Sequence, residues 1–257
     1  MGSATMPAAL LTFPPMIDSE LSRFVLNHHG IAYREEPHIF GWASILALFR
    51  GGTMRIPLLS GKGASLAGPR AMVDHFETDC PVEKKLIPAN SVLSTQVEAD
   101  WNRFNGILAG ATAVLGYYHL LPHRAIMIEP FCRGVPKIEA NTLTSIYPAF
   151  AGLFKLLLRL NAMHARDALI QTRIIFDETD RRLADARQYL VGDCLTLSDI
   201  ALATAAAPVL LPEGYGSPMP PIEHMPSQLQ AIISEMRQHE TARFVQKIFR
   251  NHRQNSR

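Results

Sequence analysis

The sequence predicts an α/β unit followed by an all-helical unit. Three observations predict it. Strand and helix signals in residues 9–80 run in the order β-α-β-α-β-β-α. Every periodic segment in residues 91–253 is helical, beyond a linker at 81–90 that carries Pro81 and Pro88. Residues 190–210 read LVGDCLTLSDIALATAAAPVL, an apolar, alanine-rich run headed by Thr196 and Asp199. The T-x-x-D spacing is that of a capping box, in which Asp199 reaches back to the Thr196 N–H. Leu195 and Ile200 stand where a hydrophobic staple sits, and Gly192 permits the sharp turn before them. With almost no polar face after Ile200, this helix is expected to be buried on all sides.

Taken in order, residues 1–8 are small and polar, an expected lead-in. Residues 9–13 form a short apolar run stopped by Pro14 and Pro15, a buried strand. Asp18 or Ser19 offers an N-cap, Leu21, Phe24, Val25 and Leu26 keep helical spacing, and Gly30 ends the helix. Residues 31–35 alternate as a second strand, and 41–49 read as a short helix stopped by Gly51 and Gly52. Residues 53–63 read strand, turn, strand, turning at Ser60 and Gly61. Pro57 within that signal removes a ladder donor, so it belongs at an edge or in a special turn. Gly68 and Pro69 open a third helix, with proline at its first position. This order is that of a thioredoxin-like domain.

In the helical part, residues 91–121 make one long candidate helix with Val97, Trp101, Phe104, Leu108 and Leu115 along one stripe. Residues 123–139 read as an irregular bridge containing Pro130 and Pro136. Residues 143–166 read as a helix with Pro148 near its start, and 168–188 as an amphipathic helix with a charged, solvated face. After the capped helix come a Pro/Gly loop at 212–221 and two short helices, the last over 241–253.

Three stretches carry a resemblance. Residues 190–201, LVGDCLTLSDIA, are similar to the start of the core helix in the helical domain of the glutathione transferase superfamily. Residues 23–33, RFVLNHHGIAY, look like that family's R-x-x-L-x-x-x-G-I-x-Y run. Residues 55–59, RIPLL, look like its x-V-P-x-L turn. The resemblance spans nearly the whole chain, and the first and last of these motifs lie about 140 residues apart. It implies a thioredoxin-like N-terminal domain and an all-helical C-terminal domain, with Pro57 cis and the Ile56 backbone turned outward. An extended peptide pairs with such an edge as an added strand. In the family, the cysteinyl part of glutathione is held this way.

The resemblance implies a transferase that passes glutathione, as co-substrate, to a small hydrophobic electrophile, with a pocket wall from residues 101–118 including Tyr117 and Tyr118. The reacting species is the thiolate, which a hydroxyl donor and a helix N-terminus both favour. Counting back from Arg23, the serine-type activating position falls on or near Ser19, which also reads as a plain N-cap; the tyrosine-type position falls near Thr12 or Phe13, neither of them tyrosine, which leaves Thr12 as the second candidate. At the head of the third helix the family reads E/D-S-x-A-I, and this chain reads Gly68-Pro69-Arg70-Ala71-Met72. Gly68 replaces the acid and Pro69 the serine. The helix N-terminus and Arg70 remain to attract the γ-glutamyl carboxylate. That departure supports an alternative, a non-catalytic binding or interaction module; an isomerase or reductase on the same scaffold, sharing the Ile56–Pro57 turn, is a further one.

Composition excludes other classes. A net charge of +2 is too balanced for a nucleic-acid binder. No apolar run reaches the roughly 18 residues that span a bilayer. Three widely spaced cysteines, Cys80, Cys132 and Cys194, fit neither a disulfide framework nor a zinc site, and point to a reducing cytoplasm. The histidines show no metal-ligand spacing. By resemblance the protein is expected to be a cytoplasmic homodimer.

Overall fold

The computed structural model describes residues 8–61 and 64–253. Residues 1–7 of the expected lead-in, and Lys62 and Gly63 of the expected hairpin, lie outside them. Strands β1 (Ala8–Thr12), β2 (Tyr33–Pro37), β3 (Leu58–Gly61) and β4 (Ala64–Ala67) form one sheet in the order β2-β1-β3-β4. β1 pairs parallel with β2 and antiparallel with β3, and β3 pairs antiparallel with β4. Helices α1 (Ile17–His28), α2 (Phe40–Gly51) and α3 (Pro69–Glu77) complete the thioredoxin-like unit. The helical unit holds α4 (Ser91–Trp101), α5 (Ala109–Leu120), α6 (Arg124–Cys132), α7 (Lys137–Leu157), α8 (Ala162–Leu183), α9 (Leu197–Leu210), α10 (Ser227–Met236) and α11 (Glu240–His252).

Helix α9 is the axle. All but one of its 14 residues are buried. Its capping box forms as expected, and Asp199 does more than close it. One carboxylate oxygen accepts from the Thr196 N–H (2.7 Å) and hydroxyl (2.9 Å), the other from the Leu190 N–H (2.7 Å). The carboxylate therefore fixes the loop before the helix as well as its first turn.

Four expectations are corrected. Helix α1 starts after Met16, which makes no side-chain cap, so neither Asp18 nor Ser19 is the N-cap. The expected single helix over 91–121 contains a π-helical segment, Asn102–Leu108, between α4 and α5. The expected bridge at 123–139 holds α6, stabilised by burial of Met127, Pro130 and Phe131 despite the proline. The helix expected over 143–166 begins earlier and breaks at 158–161, where Arg159 takes positive φ (51°) and the Asn161 side chain caps α8 by accepting from the His164 N–H. Pro148 thus lies in the middle of α7, not near its start. Its missing N–H frees the Thr144 carbonyl, which instead accepts from Arg124 Nη2 at 2.8 Å.

A buried charged network ties the two units together. Arg23 pairs with Glu20 (2.8 Å) and Glu35 (2.6 Å), and Glu20 also accepts from Arg253 (2.5 Å) and the Gly216 N–H (2.9 Å). Gly216 is required there, since a Cβ would fall 2.6 Å from the Glu20 carboxylate. A second link joins the β2–α2 turn to α7, where Glu139 binds His38 Nδ1 (2.6 Å) and the Ile39 N–H (3.1 Å).

Candidate active-site cleft

The site is assembled from the turn before β3, the head of α1 and the helices that face them. The Ile56–Pro57 peptide bond is cis. The Ile56 side chain is buried, yet neither its N–H nor its C=O has a hydrogen-bond partner among the described residues. Pro57 returns to the fold through its carbonyl, which accepts from the Gly68 N–H at 2.8 Å. Just before β3 this leaves one residue whose two backbone polar groups have no partner among the described residues.

The neighbouring charges are not those the motif suggested. Arg55 folds over the head of α3, where a Cβ at Gly68 would meet its Nε at 3.0 Å. Gly68, at φ 86°, is the only residue type that leaves room for it without backbone strain. Arg70, the cation expected at this helix N-terminus, is turned aside. It is bound to Asp74 (2.7 Å) and Glu98 (2.6 Å), with its guanidinium 6.0 Å from the centre of the Trp101 ring. Arg55 is thus the cation over Gly68, and Arg70 is neutralised on the surface.

An apolar cavity of about 390 Å³ opens between the two units. That volume falls within the range of small-molecule sites. Phe13, Met16 and Phe40 line it from the thioredoxin-like side; Gly106, Tyr117 and Phe154 line it from the helical side. Phe13, Phe131 and Phe154 interlock with centroids 5.5 to 6.0 Å apart, so α6 and α7 roof the cavity. The π-helical segment supplies Asn105 and Gly106 to the wall, as π-turns often do at functional sites. Burial pushes the Tyr117 phenol well above its ordinary value, so it is a protonated donor at neutral pH.

The head of α1 reaches the same cavity through Met16, Ile17 and Asp18. Burial raises the Asp18 carboxyl above its ordinary value, and the Arg55 charge offsets part of the rise. Asp18 thus feels the Arg55 charge, but the two make no ion pair.

Ser19 and Thr12 are elsewhere. Ser19 is fully buried and donates to the Phe13 carbonyl at 3.0 Å. Thr12 is fully buried and donates to Glu35 at 2.7 Å, within the Arg23 network. Of the six residues singled out from sequence, Ile56, Pro57 and Gly68 come together, while Ser19, Thr12 and Arg70 do not join them. Asp18 and Arg55 were missed as site residues. Their signal was adjacency, each standing next to a residue already singled out.

No family model matches the chain, and no curated protein does. Solved structures do match over nearly its whole length. A glutathione S-transferase from Xanthobacter autotrophicus is similar at 14% identity, with 96% of this chain and 95% of that one covered and a TM-score of 0.57. One from Rhodospirillum rubrum is similar at 16% identity, covering 93% and 91%, with a TM-score of 0.54. One from Methylobacillus flagellatus, solved with glutathione bound, is similar at 15% identity, covering 93% and 98%, with a TM-score of 0.52. A four-stranded sheet with its three helices, the capped core helix and this likeness across both units lead to one conclusion: the chain has the glutathione S-transferase fold.

Proposed function

We propose that this chain is a cytoplasmic, homodimeric member of the glutathione transferase superfamily. It docks glutathione along Ile56 and passes it to a small hydrophobic electrophile in the cleft. The observation that carries this reading is the Ile56 N–H and C=O, both unpaired among the described residues, beside cis-Pro57. An extended thiol peptide gains two main-chain hydrogen bonds there, and those bonds cost the protein none of its own. Arg55 supplies the positive charge for the γ-glutamyl carboxylate in place of the acidic–serine pair. The apolar cleft of about 390 Å³ suits the second substrate.

Calorimetric titration with glutathione tests the reading. Saturable binding is expected, and Arg55→Gln is expected to weaken it about 10- to 100-fold, the worth of one charge-assisted hydrogen bond. No heat at millimolar glutathione would overturn it. Ser19→Ala is expected to leave turnover unchanged, because that hydroxyl points into the core.

A specific observation favours a second reading, a binding module without thiol chemistry. The cavity-facing residues at the head of α1 are Met16, Ile17 and Asp18, none of which is a hydroxyl donor. A carboxylate there disfavours a thiolate beside it. Turnover of glutathione with a generic aryl halide separates the two readings. Binding without conjugation favours the module, and saturable conjugation rules it out.

A further inference from the structure

The surface around the α7–α8 junction carries apolar side chains that no described residue covers. Leu153, Leu156 and Leu157 at the end of α7 are 51%, 75% and 56% exposed, and Met163 at the start of α8 is 73% exposed. The apolar face of α2 approaches the same corner, since Phe40 at its start packs edge-on against Phe154 at 5.4 Å. From there Trp42 (43%) and Phe49 (83%) are exposed along α2. An isolated exposed leucine needs no explanation, but a cluster on one corner does.

The charges among these residues are one-sided. Residues 152–167 contain three cations, Lys155, Arg159 and Arg166, against one carboxylate, Asp167. All four side chains are exposed, and among the described residues none of the four is in an ion pair. Whatever covers this corner therefore has to be apolar beneath and negative at its surface. A second copy docked through the same patch does not meet that requirement. A two-fold contact sets the patch against itself and brings six cations together against two carboxylates. No single helix among the described residues is long and apolar enough to cross a membrane; α7 and α8 meet that length and composition only as a pair bent by 61°.

We propose that the α7–α8 corner docks on an anionic lipid surface. Leu153, Leu156, Leu157 and Met163 enter the headgroup boundary, and Lys155, Arg159 and Arg166 pair with lipid phosphates. Interleaved leucines and cations, with a Trp and a Phe nearby, are the chemistry of an interfacial anchor. Leu157 is both exposed here and part of the cavity wall, so the docking corner adjoins the cleft. Apolar molecules dissolved in the bilayer are then delivered beside the pocket. The docking does not depend on glutathione chemistry.

Vesicle co-sedimentation of the full chain tests this. Vesicles of 30% phosphatidylglycerol in phosphatidylcholine are expected to bring the protein down at low salt, and pure phosphatidylcholine far less. The triple variant Lys155→Gln, Arg159→Gln, Arg166→Gln is expected to partition about 100-fold more weakly. The double variant Leu153→Ser, Leu156→Ser is expected to lose about tenfold or more. These side chains are exposed, so both variants should keep the parent's melting temperature and glutathione titration. Those readouts separate a failed docking proposal from a failed transferase reading. Absence of sedimentation with anionic vesicles, or binding that neither variant alters, would overturn the proposal. So would a light-scattering mass that halves in the leucine variant, since a protein partner would then cover the corner.

Discussion

Replacing Asp199 by Ala is expected to destabilise the protein by about 4 kcal/mol. The carboxylate accepts from the Leu190 and Thr196 N–H groups and the Thr196 hydroxyl, all inside the core. Alanine leaves both backbone donors buried without partners, at about 1–3 kcal/mol each. A cap on an exposed helix is worth only about 1 kcal/mol, because water replaces it. Here water has no access, since Asp199 is fully buried. In a chain of this size the loss corresponds to a fall in melting temperature of about 10 °C, measurable by calorimetry. Asp199→Asn retains one acceptor oxygen, so it should lose about half as much. A fall of under 2 °C for the alanine variant would mean the loop before α9 carries no strain of its own and simply relaxes.

Arg23→Met is expected to have an effect of similar size, with a pH signature of its own. Arg23 is 3% exposed and its partner Glu20 is fully buried. Removing one member of such a group leaves uncompensated charge in the core and costs about 3–5 kcal/mol. Burial on its own raises the Glu35 carboxyl, but hydrogen bonds and charge from Arg23 outweigh it, and Glu35 titrates below its ordinary value. In the parent protein this group therefore contributes stability above its unfolded pKa, and that contribution is lost as acid protonates it. In the variant the Thr12 hydrogen bond and the Arg253 charge still oppose burial, but the larger Arg23 contributions are gone, so the folded-state value rises relative to the parent. The variant therefore loses less stability than the parent as acid protonates Glu35, and its deficit narrows once pH falls below the ordinary carboxylate range. Urea melts of both proteins at pH 7 and pH 4 measure the gap. A gap that widens at pH 4 would show that Glu35 finds other partners.

What was legible in the sequence was what local chemistry determines. The Thr196–Asp199 spacing, the apolar run behind it and the order of strands and helices each depend on near neighbours. Tertiary packing decided the rest. Moving a helix start by two residues rotates every later side chain by about 200°. Helix α1 begins after Met16 without a capping side chain, so Ser19, read as a cap or as the hydroxyl donor to the thiolate, lands on the buried face. Pro130 and Pro148 both lie inside helices for reasons far along the chain. Aromatic burial stabilises α6, and Arg124 satisfies the carbonyl that Pro148 leaves open. The diversion of Arg70 was hidden likewise, because its partner Glu98 lies 28 residues away in α4.

The shared carboxylate of Glu20 has a consequence for how the protein is made. Glu20 leaves the ribosome 233 residues ahead of Arg253, the cation that completes its set of partners. Until translation passes α11, the nascent thioredoxin-like half has Arg23 on one Glu20 oxygen and must leave the other, which Arg253 later binds, to water. The first half to be synthesised is therefore finished only by the last helix.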